Sequence, residues 1–420
     1  MREGRLVILA VMLGGASLVF AQEVKVHVLS TPTTSESAEV RADLGTALAL
    51  LRSGNLEEGR KHLLALVSSG TADAKVFYNL AIAEMRSGLL EDARRHAMKA
   101  VEMSRGSWKA LKLVVDLARR SGALEETRSW LDRLSDQLGD SIAVANASAR
   151  LRLYEGKPMQ AIRDASAILK KDETNSEALK TLVLAYLAMN RLEAVALMIG
   201  EMLKSMEGDG ELFDMAATLA LKTGDKIAAM AHLEKAVAYA PSLVDAHVRL
   251  GYLYFDAGNY EKAISEFQAA LVWDTVNLAA LLGIGNAYRR MQNYEKAIAT
   301  FSRAIELYPD CADCYYSMGV AFLEYRPPEK DEPGHYKKAL EYFEKYRATY
   351  RGGVRRDDPV DKYVDEARRM LDYLERQRIR QQGSTSVEQT PLAEPHNVQL
   401  DTEPQSSPEG EYEGEGLKLK

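Results

Sequence analysis

Two cysteines, three tryptophans and twelve prolines are all that 420 residues hold of those types. So few cysteines exclude a disulfide-dense fold. So few prolines leave room for uninterrupted helices. The seven histidines stand at 27, 62, 96, 232, 247, 335 and 396, no two of them on one helical turn. That spacing excludes an H-E-x-x-H zinc helix. Cys311 and Cys314 have no further cysteine or histidine close by in sequence, which a zinc site needs. No G-x-S-x-G or nucleotide fingerprint occurs. LGIGNAY (282–288) lacks the preceding strand and the G-K-[ST] ending of a phosphate loop. No catalytic, cofactor-binding or metal-ligating residue is therefore assigned, and a non-enzyme without cofactor is expected. An excess of basic charge is absent too: 54 Lys and Arg stand against 61 Asp and Glu, a net −7. Nucleic acid is thereby excluded as a main partner, since phosphate binding needs a basic face.

Long apolar runs are missing except at the start. Arg2 and Arg5 precede LVILAVMLGGASLVF (6–20), and small Ala21 comes before Gln22. This is the layout of a secretory signal, too short for a comfortable membrane span. It predicts a signal peptide over 1–21, cleaved near Ala21, a periplasmic mature chain, and no integral span once the signal is removed. Residues 22–39 read as a linker; VKVHVL (24–29) alternates as a strand would, and is either an unstructured segment or a tether that adds to the sheet edge of a partner. Cys311 and Cys314 are compatible with a disulfide in such a compartment and equally with two small buried thiols at a helix start.

What is present is a ruler. RSG occurs at 52–54, 86–88 and 120–122, each copy 34 residues after the last. Steps of 34 from Gly54, Gly88 and Gly122 reach Gly156, Asn190, Gly224, Gly258 and Gln292. Gly and Asn are the residues that end helices in the left-handed conformation. Two residues after each, an apolar residue or proline opens a second apolar-periodic stretch, with Lys226 the exception. Each unit is thus expected to be helix, short turn, helix.

A helix-turn-helix period of 34 resembles the tetratricopeptide repeat (TPR). The likeness is closest between 244 and 311. There the family's large positions are filled by His247, Leu250, Tyr254 and Phe267, then by Leu281, Ile284, Tyr288 and Phe301. Its small positions hold Gly251, Ala263 and Ala270, then Gly285, Ala297 and Ala304, and its proline is matched by Pro241 and Pro309. Earlier units keep the period but put Val115, Val183, Val195, Leu134, Ile168 and Met202 at the small positions. The resemblance implies an all-α fold, a right-handed superhelical TPR solenoid over 40–353 of about nine units.

In the ninth unit RPPEKDEPGH separates the two helices. The insertion, at 324–335, reads as a stiff loop through Pro327, Pro328 and Pro333, with the second helix starting near Tyr336. Then Asp358 suits an N-cap and Pro359 the first helical position. Val360, Tyr363, Val364, Ala367, Met370, Leu371 and Leu374 make one apolar stripe, so 354–382 is read as a capping helix. Residues 383–420 are polar, rich in Pro, Gly and Glu, and carry −6 of the net charge; a disordered acidic tail is expected.

Function then rests on binding. The family lines its inner groove with fixed first-helix positions, and chaperone-binding members place a Lys/Asn/Arg clamp there. In this chain Leu282 stands where the clamp lysine would precede Asn286. Lys109, Lys112, Asp116, Arg119 and Arg120 give the groove a charged stretch that is expected to be mobile. Tyr252, Phe255, Asp256, Asn286, Arg289, Arg290 and Tyr316 supply the aromatic and arginine types that dominate interfaces. They are the candidate protein-binding residues, without a core role if this register holds; a small rotation of the helix would instead pack Tyr252 and Phe255 against its neighbour. Exported solenoids of this kind resemble bacterial envelope scaffolds, and DPVDKYVDEARRMLDYLERQR resembles the ending of gliding-motility members. The likeness implies an interaction scaffold whose partners are cell-envelope complex subunits. An adaptor for envelope assembly, secretion or pilus biogenesis, or an accessory of polysaccharide synthesis, fits the same features.

Overall fold

The computed structural model describes residues 38–70, 73–325, 332–350 and 359–383. The signal segment, Pro327, Pro328, Asp358 and the tail beyond Gly383 lie outside them. Among the described residues there are helices and no strand. They run α1 (Ala38–Arg52), α2 (Leu56–Ser68), α3 (Ala74–Arg86), α4 (Leu90–Met103), α5 (Trp108–Ser121), α6 (Leu124–Leu138), α7 (Ile142–Tyr154), α8 (Pro158–Leu169), α9 (Ser176–Ala188) and α10 (Leu192–Ser205). They continue with α11 (Gly210–Lys222), α12 (Lys226–Tyr239), α13 (Val244–Asp256), α14 (Tyr260–Trp273), α15 (Leu278–Arg290), α16 (Tyr294–Leu307), α17 (Ala312–Glu324), α18 (Glu332–Thr349) and α19 (Pro359–Gly383).

The ruler is a row of left-handed residues. Gly54, Gly88, Gly122, Gly156, Gly224 and Gly258 all have positive φ, and so do Asn190 (55°) and Gln292 (59°). Each reverses the chain within one residue after an odd-numbered helix. The next amide then bonds back into the helix it has left: Asn55 N–H to Leu50 O (2.9 Å), Arg191 N–H to Tyr186 O (2.9 Å), Asn293 N–H to Tyr288 O (2.9 Å). Carbonyls that a helix end leaves bare are satisfied this way. The second helix follows at once, with acids such as Glu57, Glu58, Glu125 and Glu126 in its first turn, where they favour the dipole.

The ninth unit departs from the pattern. Tyr325, at the end of α17, has extended backbone (φ −69°, ψ 126°). The expected loop is shorter than read from the sequence. Helix α18 starts at Glu332 and takes in Pro333 and His335. Proline is tolerated there because the amide it lacks would have no helical partner in the first turn.

Packing follows the alternation of small and large residues. The Phe267 ring lies against both Gly251 and Gly283; a methyl group on either would come within 2.7 and 2.4 Å of it. Phe301 meets Gly285 and Phe343 meets Gly319 in the same way. Where the sequence offers Val115, Val183, Val195, Leu134, Ile168 or Met202 instead, the helix pairs persist and these side chains are buried in the core. His247 is buried, and its Nε2 lies 3.1 Å from Pro241 O. Val360, Val364 and Ala367 bury one face of α19, and Tyr363 stacks on Phe343.

Contacts divide the described residues into two compact units. Unit 1 holds those up to Arg249 together with Ala269–Val276. Unit 2 holds Leu250–Gln268 and those from Asn277 onward.

Gly285→Ala places a carbon 2.3 Å from Phe301 Cε1, closer than atoms pack. The substitution should destabilise unit 2 by about 1–3 kcal/mol in urea unfolding. Phe301→Leu in the same chain should recover part of that loss; no recovery would mean the clash is not with the ring.

Candidate protein-binding faces

The seven candidate residues all belong to unit 2, but they do not share one environment. Tyr252 donates its hydroxyl to Ala279 O (3.0 Å) and sets its ring edge-on to Phe267, centroids 5.0 Å apart. Tyr316 is surrounded by Phe343, Tyr346 and Tyr363, with centroids 5.5–6.4 Å away. Burial there pushes the Tyr316 hydroxyl well above the usual phenol range, and Tyr363 adds to it. Both tyrosines therefore pack: Tyr252 follows the alternative reading of its register, and Tyr316 departs from the expectation of no core role. Tyr316 in particular joins α17 to α18 and the cap. Arg289 donates to Glu324 Oε1 (2.6 Å). Phe255 is half-buried edge-on to Tyr260 (5.4 Å), and Asn286 is half-buried. Asp256 and Arg290 are exposed. Phe255, Asp256 and Arg290 are thus the members best placed to meet a partner.

Unit 1 presents a second, unexpected face. Lys112, Arg119 and Arg120 of α5 are not mobile solvated charges, because acids of the same unit engage them. Lys112 pairs with Glu211 of α11. Arg119 reaches Asp245 Oδ2 (3.4 Å) and lies over the Tyr154 ring (5.4 Å). Arg120 reaches Asp274 Oδ2 (2.8 Å). One turn of chain closes the contact further. Arg86, only 4% exposed, donates to Leu51 O and to Val272 O (both 2.9 Å) and lies over the Trp273 ring. Thr275 donates its amide (3.0 Å) and its hydroxyl (2.8 Å) to Arg86 O. Val276 fills the space beside Gly88, where a Cβ would come 2.8 Å from it. Arg86 and Val272 are 186 residues apart in the chain.

Between these contacts lies a buried polar network. Lys180, 5% exposed, bonds Glu177 (2.6 Å), Glu211 (3.0 Å) and Asp209 (3.2 Å). Arg150 donates to the Tyr154 hydroxyl (3.2 Å), which donates to Asp116 (3.3 Å). Arg249 bonds Thr218 (2.8 Å) and pairs with Asp214, whose carboxyl burial pushes up. A buried charge must be paired, and Lys180 and Arg249 are. Sequence reasoning missed Arg86, Glu211, Trp273, Asp274 and Thr275. The available signal was the sign change between Arg119 and Arg120 in an early unit and Asp245 and Asp274 in later ones.

The sulfur atoms of Cys311 and Cys314 are bonded, with Cα atoms 5.3 Å apart. The pair caps α17, where Cys311 Sγ accepts from Cys314 N–H (3.1 Å). Among the described residues no cluster of His, Cys, Asp or Glu could hold a metal ion, and no helix is long and apolar enough to cross a membrane.

Helix pairs on a period of 34 residues, left-handed turns between them and rings seated on glycine define a class of repeat protein, and family comparison names it. A model described as "TPR repeat" matches residues 285–324, and one described as "Tetratricopeptide repeat" matches 215–275. Residues 215–275 and 285–324 are thus tetratricopeptide repeats, a repeat that serves protein–protein interaction, and the helix pairs on either side share its fold. Among solved structures, the crystal structure of the APC/C hetero-tetramer Cut9-Hcn1 is similar in fold, with a TM-score of 0.50 at 16% identity. The match covers 79% of this chain and 64% of that one, so the chain spans less than two thirds of its length. YrrB, "a TPR protein with an unusual peptide-binding site", matches at 21% identity and TM-score 0.34 over 44% of this chain and 95% of its own. MamA matches at 22% and 0.34, over 42% and 96%. No curated protein matches the chain.

Burial pushes Lys112 down to about 8 from an ordinary 10.5; Asp116 opposes the shift, and Arg150 and Lys180 add to it. Below pH 8 the folded and unfolded chains both hold this proton. Between about 8 and 10.5 only the unfolded chain does, so stability rises with pH across that window. The unfolding free energy of wild type minus that of Lys112→Met should therefore increase from pH 8 to 10 in urea titrations. A difference that stays flat would place the ammonium in water.

Proposed function

We propose that the chain is a non-enzymatic scaffold working in the periplasm as part of a cell-envelope motility machine. The observation that carries the binding role is the exposed stretch of unit 2 beside its packed tyrosines. Phe255, Asp256 and Arg290 sit at the ends of α13 and α15, on elements held rigid by Phe267 and Phe301. Aromatic and arginine side chains on a rigid support are the usual anchors of an interface. The envelope setting is supported by the signal layout of residues 1–21 and by the resemblance of DPVDKYVDEARRMLDYLERQR to the ending of gliding-motility members.

Crosslinking in intact cells followed by capture of the chain should retrieve motility-machine subunits. Retrieval of pilus or secretion subunits, or of glycan enzymes, would replace the motility reading by the corresponding adaptor. Phe255→Ala with Arg290→Ala should weaken the captured partner by about 2 kcal/mol or more. The unfolding midpoint should change little, because neither side chain is fully buried. Unchanged binding by the folded double variant would move the interface elsewhere. N-terminal sequencing of the mature chain should begin at or near Gln22; Met1 on a soluble cytoplasmic protein would end the periplasmic assignment.

A further inference from the structure

Several first helices are capped at the same step of the ruler. Asn175, Asp209 and Asn277 stand at multiples of 34 residues from one another. Each side chain accepts the amide three residues on: Ala178 N–H (3.0 Å), Leu212 N–H (3.1 Å) and Ala280 N–H (2.9 Å). The next step of 34 after Asn277 reaches Cys311, and Cys314 fills the position held elsewhere by Ala178, Leu212 and Ala280. Cys311 Sγ accepts from Cys314 N–H (3.1 Å) while bonded to Cys314 Sγ. Sulfur is a weaker acceptor than the oxygens it replaces, so capping does not account for cysteine here. Nor does chain closure, since a loop this short removes little entropy from the unfolded chain. Two further bonds hold the same bend without either sulfur: Cys311 N–H to Tyr308 O (3.0 Å) and the Tyr315 hydroxyl to Pro309 O (2.9 Å).

We propose that Cys311 and Cys314 form a thiol–disulfide exchange site for a protein dithiol. The two sulfurs differ in access: Cys311 is half-buried and Cys314 fully buried. An incoming thiolate therefore reaches Cys311 Sγ. Its sulfur bonds to Cys311, the Cys311–Cys314 bond breaks, and the electron pair leaves on Cys314 Sγ, which takes up a proton. The partner's second thiolate then attacks the partner's own sulfur in this mixed disulfide. Cys311 leaves as a thiolate, and the partner keeps a disulfide. Two electrons have passed from the partner dithiol to this pair; run backwards, the pair reduces a partner disulfide. The Cys311 thiolate is favoured by the N-terminus of α17 and by Cys314 N–H, which already points at it. Asp310 and Asp313 oppose it, but both are exposed and their charge is screened. Because the bend is held by the carbonyls of Tyr308 and Pro309, both thiols keep their places after reduction. The bond then re-forms without refolding.

The test uses the full chain, with glutathione and dipyridyl disulfide as probes. Equilibrated without denaturant against mixtures of reduced and oxidised glutathione, wild type should pass between the bonded and the dithiol form as the ratio is varied, read by maleimide labelling and mass spectrometry. The reduced chain should keep its helical circular dichroism and melt close to the oxidised one. A pair that stays bonded until urea is added, or a chain that unfolds on reduction, is a structural bridge and overturns the proposal. Single variants then show which sulfur is attacked. Cys314→Ser leaves Cys311, which should form a mixed disulfide with dipyridyl disulfide at least tenfold faster than the Cys314 left by Cys311→Ser. Equal rates, or faster reaction at Cys314, overturn the exchange site. Should either serine variant fail to fold, the labelling rates of the two thiols in reduced wild type, resolved by peptide mass, make the same comparison with the same two outcomes.

Discussion

Everything in this chain hangs on a residue that can stand in the left-handed region every 34 positions. A helix that ends in that conformation turns its chain back on itself within one residue. The following helix then lies antiparallel against it. Six of the eight positions are glycine, which carries no steric cost there. Asn190 and Gln292 bear the strain of a side chain at φ of 55° and 59°, and the bonds from Arg191 to Tyr186 and from Asn293 to Tyr288 hold them in place. The ninth unit ends its first helix differently, with Tyr325 in extended backbone, and its return helix starts at Glu332.

Repeated reversal fixes direction but not distance. Distance is set by what lies between neighbouring helices. Phe267 wedged between Gly251 and Gly283 brings two first helices to one ring. No unit of about 34 residues encloses such a ring alone, so each depends on the next, and the row needs a stop. Tyr363 on Phe343 and Tyr316, with Val360 and Val364 buried beneath, is that stop. Tyr316 is drawn into the core by the cap and is thereby less able to serve a partner.

This explains what could be read from the sequence. Turn residues, small residues and the apolar stripe of α19 act over a few positions, and each was visible as a spacing. The extent of the proline insertion was misjudged because proline both breaks helices and opens them, and only the neighbours of Pro333 decide between the two. Tyr252 and Tyr316 looked outward by register, yet a rotation of a helix by part of a residue turns a groove position into a packed one. The contact of Arg86 with Val272 leaves no local trace at all. It depends on the winding summed over the intervening helices, and a pattern of spacing records each step without recording where the steps arrive.

The chemistry chosen for that contact also bears on its use. A contact between repeats made by leucines against leucines would gain about 25 cal/mol for each Å² removed from water. Charged pairs give far less, since each must be stripped of water before it attracts its partner. Lys112 shows the penalty in its depressed pKa, with Glu211 in contact and two other cations near. What such pairs supply is selectivity of register: Arg119 meets Asp245 and Arg120 meets Asp274, and a shift by one helical turn would oppose like charges. Closure by paired charges is therefore specific in where it forms and modest in how strongly it holds, and a contact of that kind is sensitive to ions and to competing charged chains in a way that a hydrophobic seam is not.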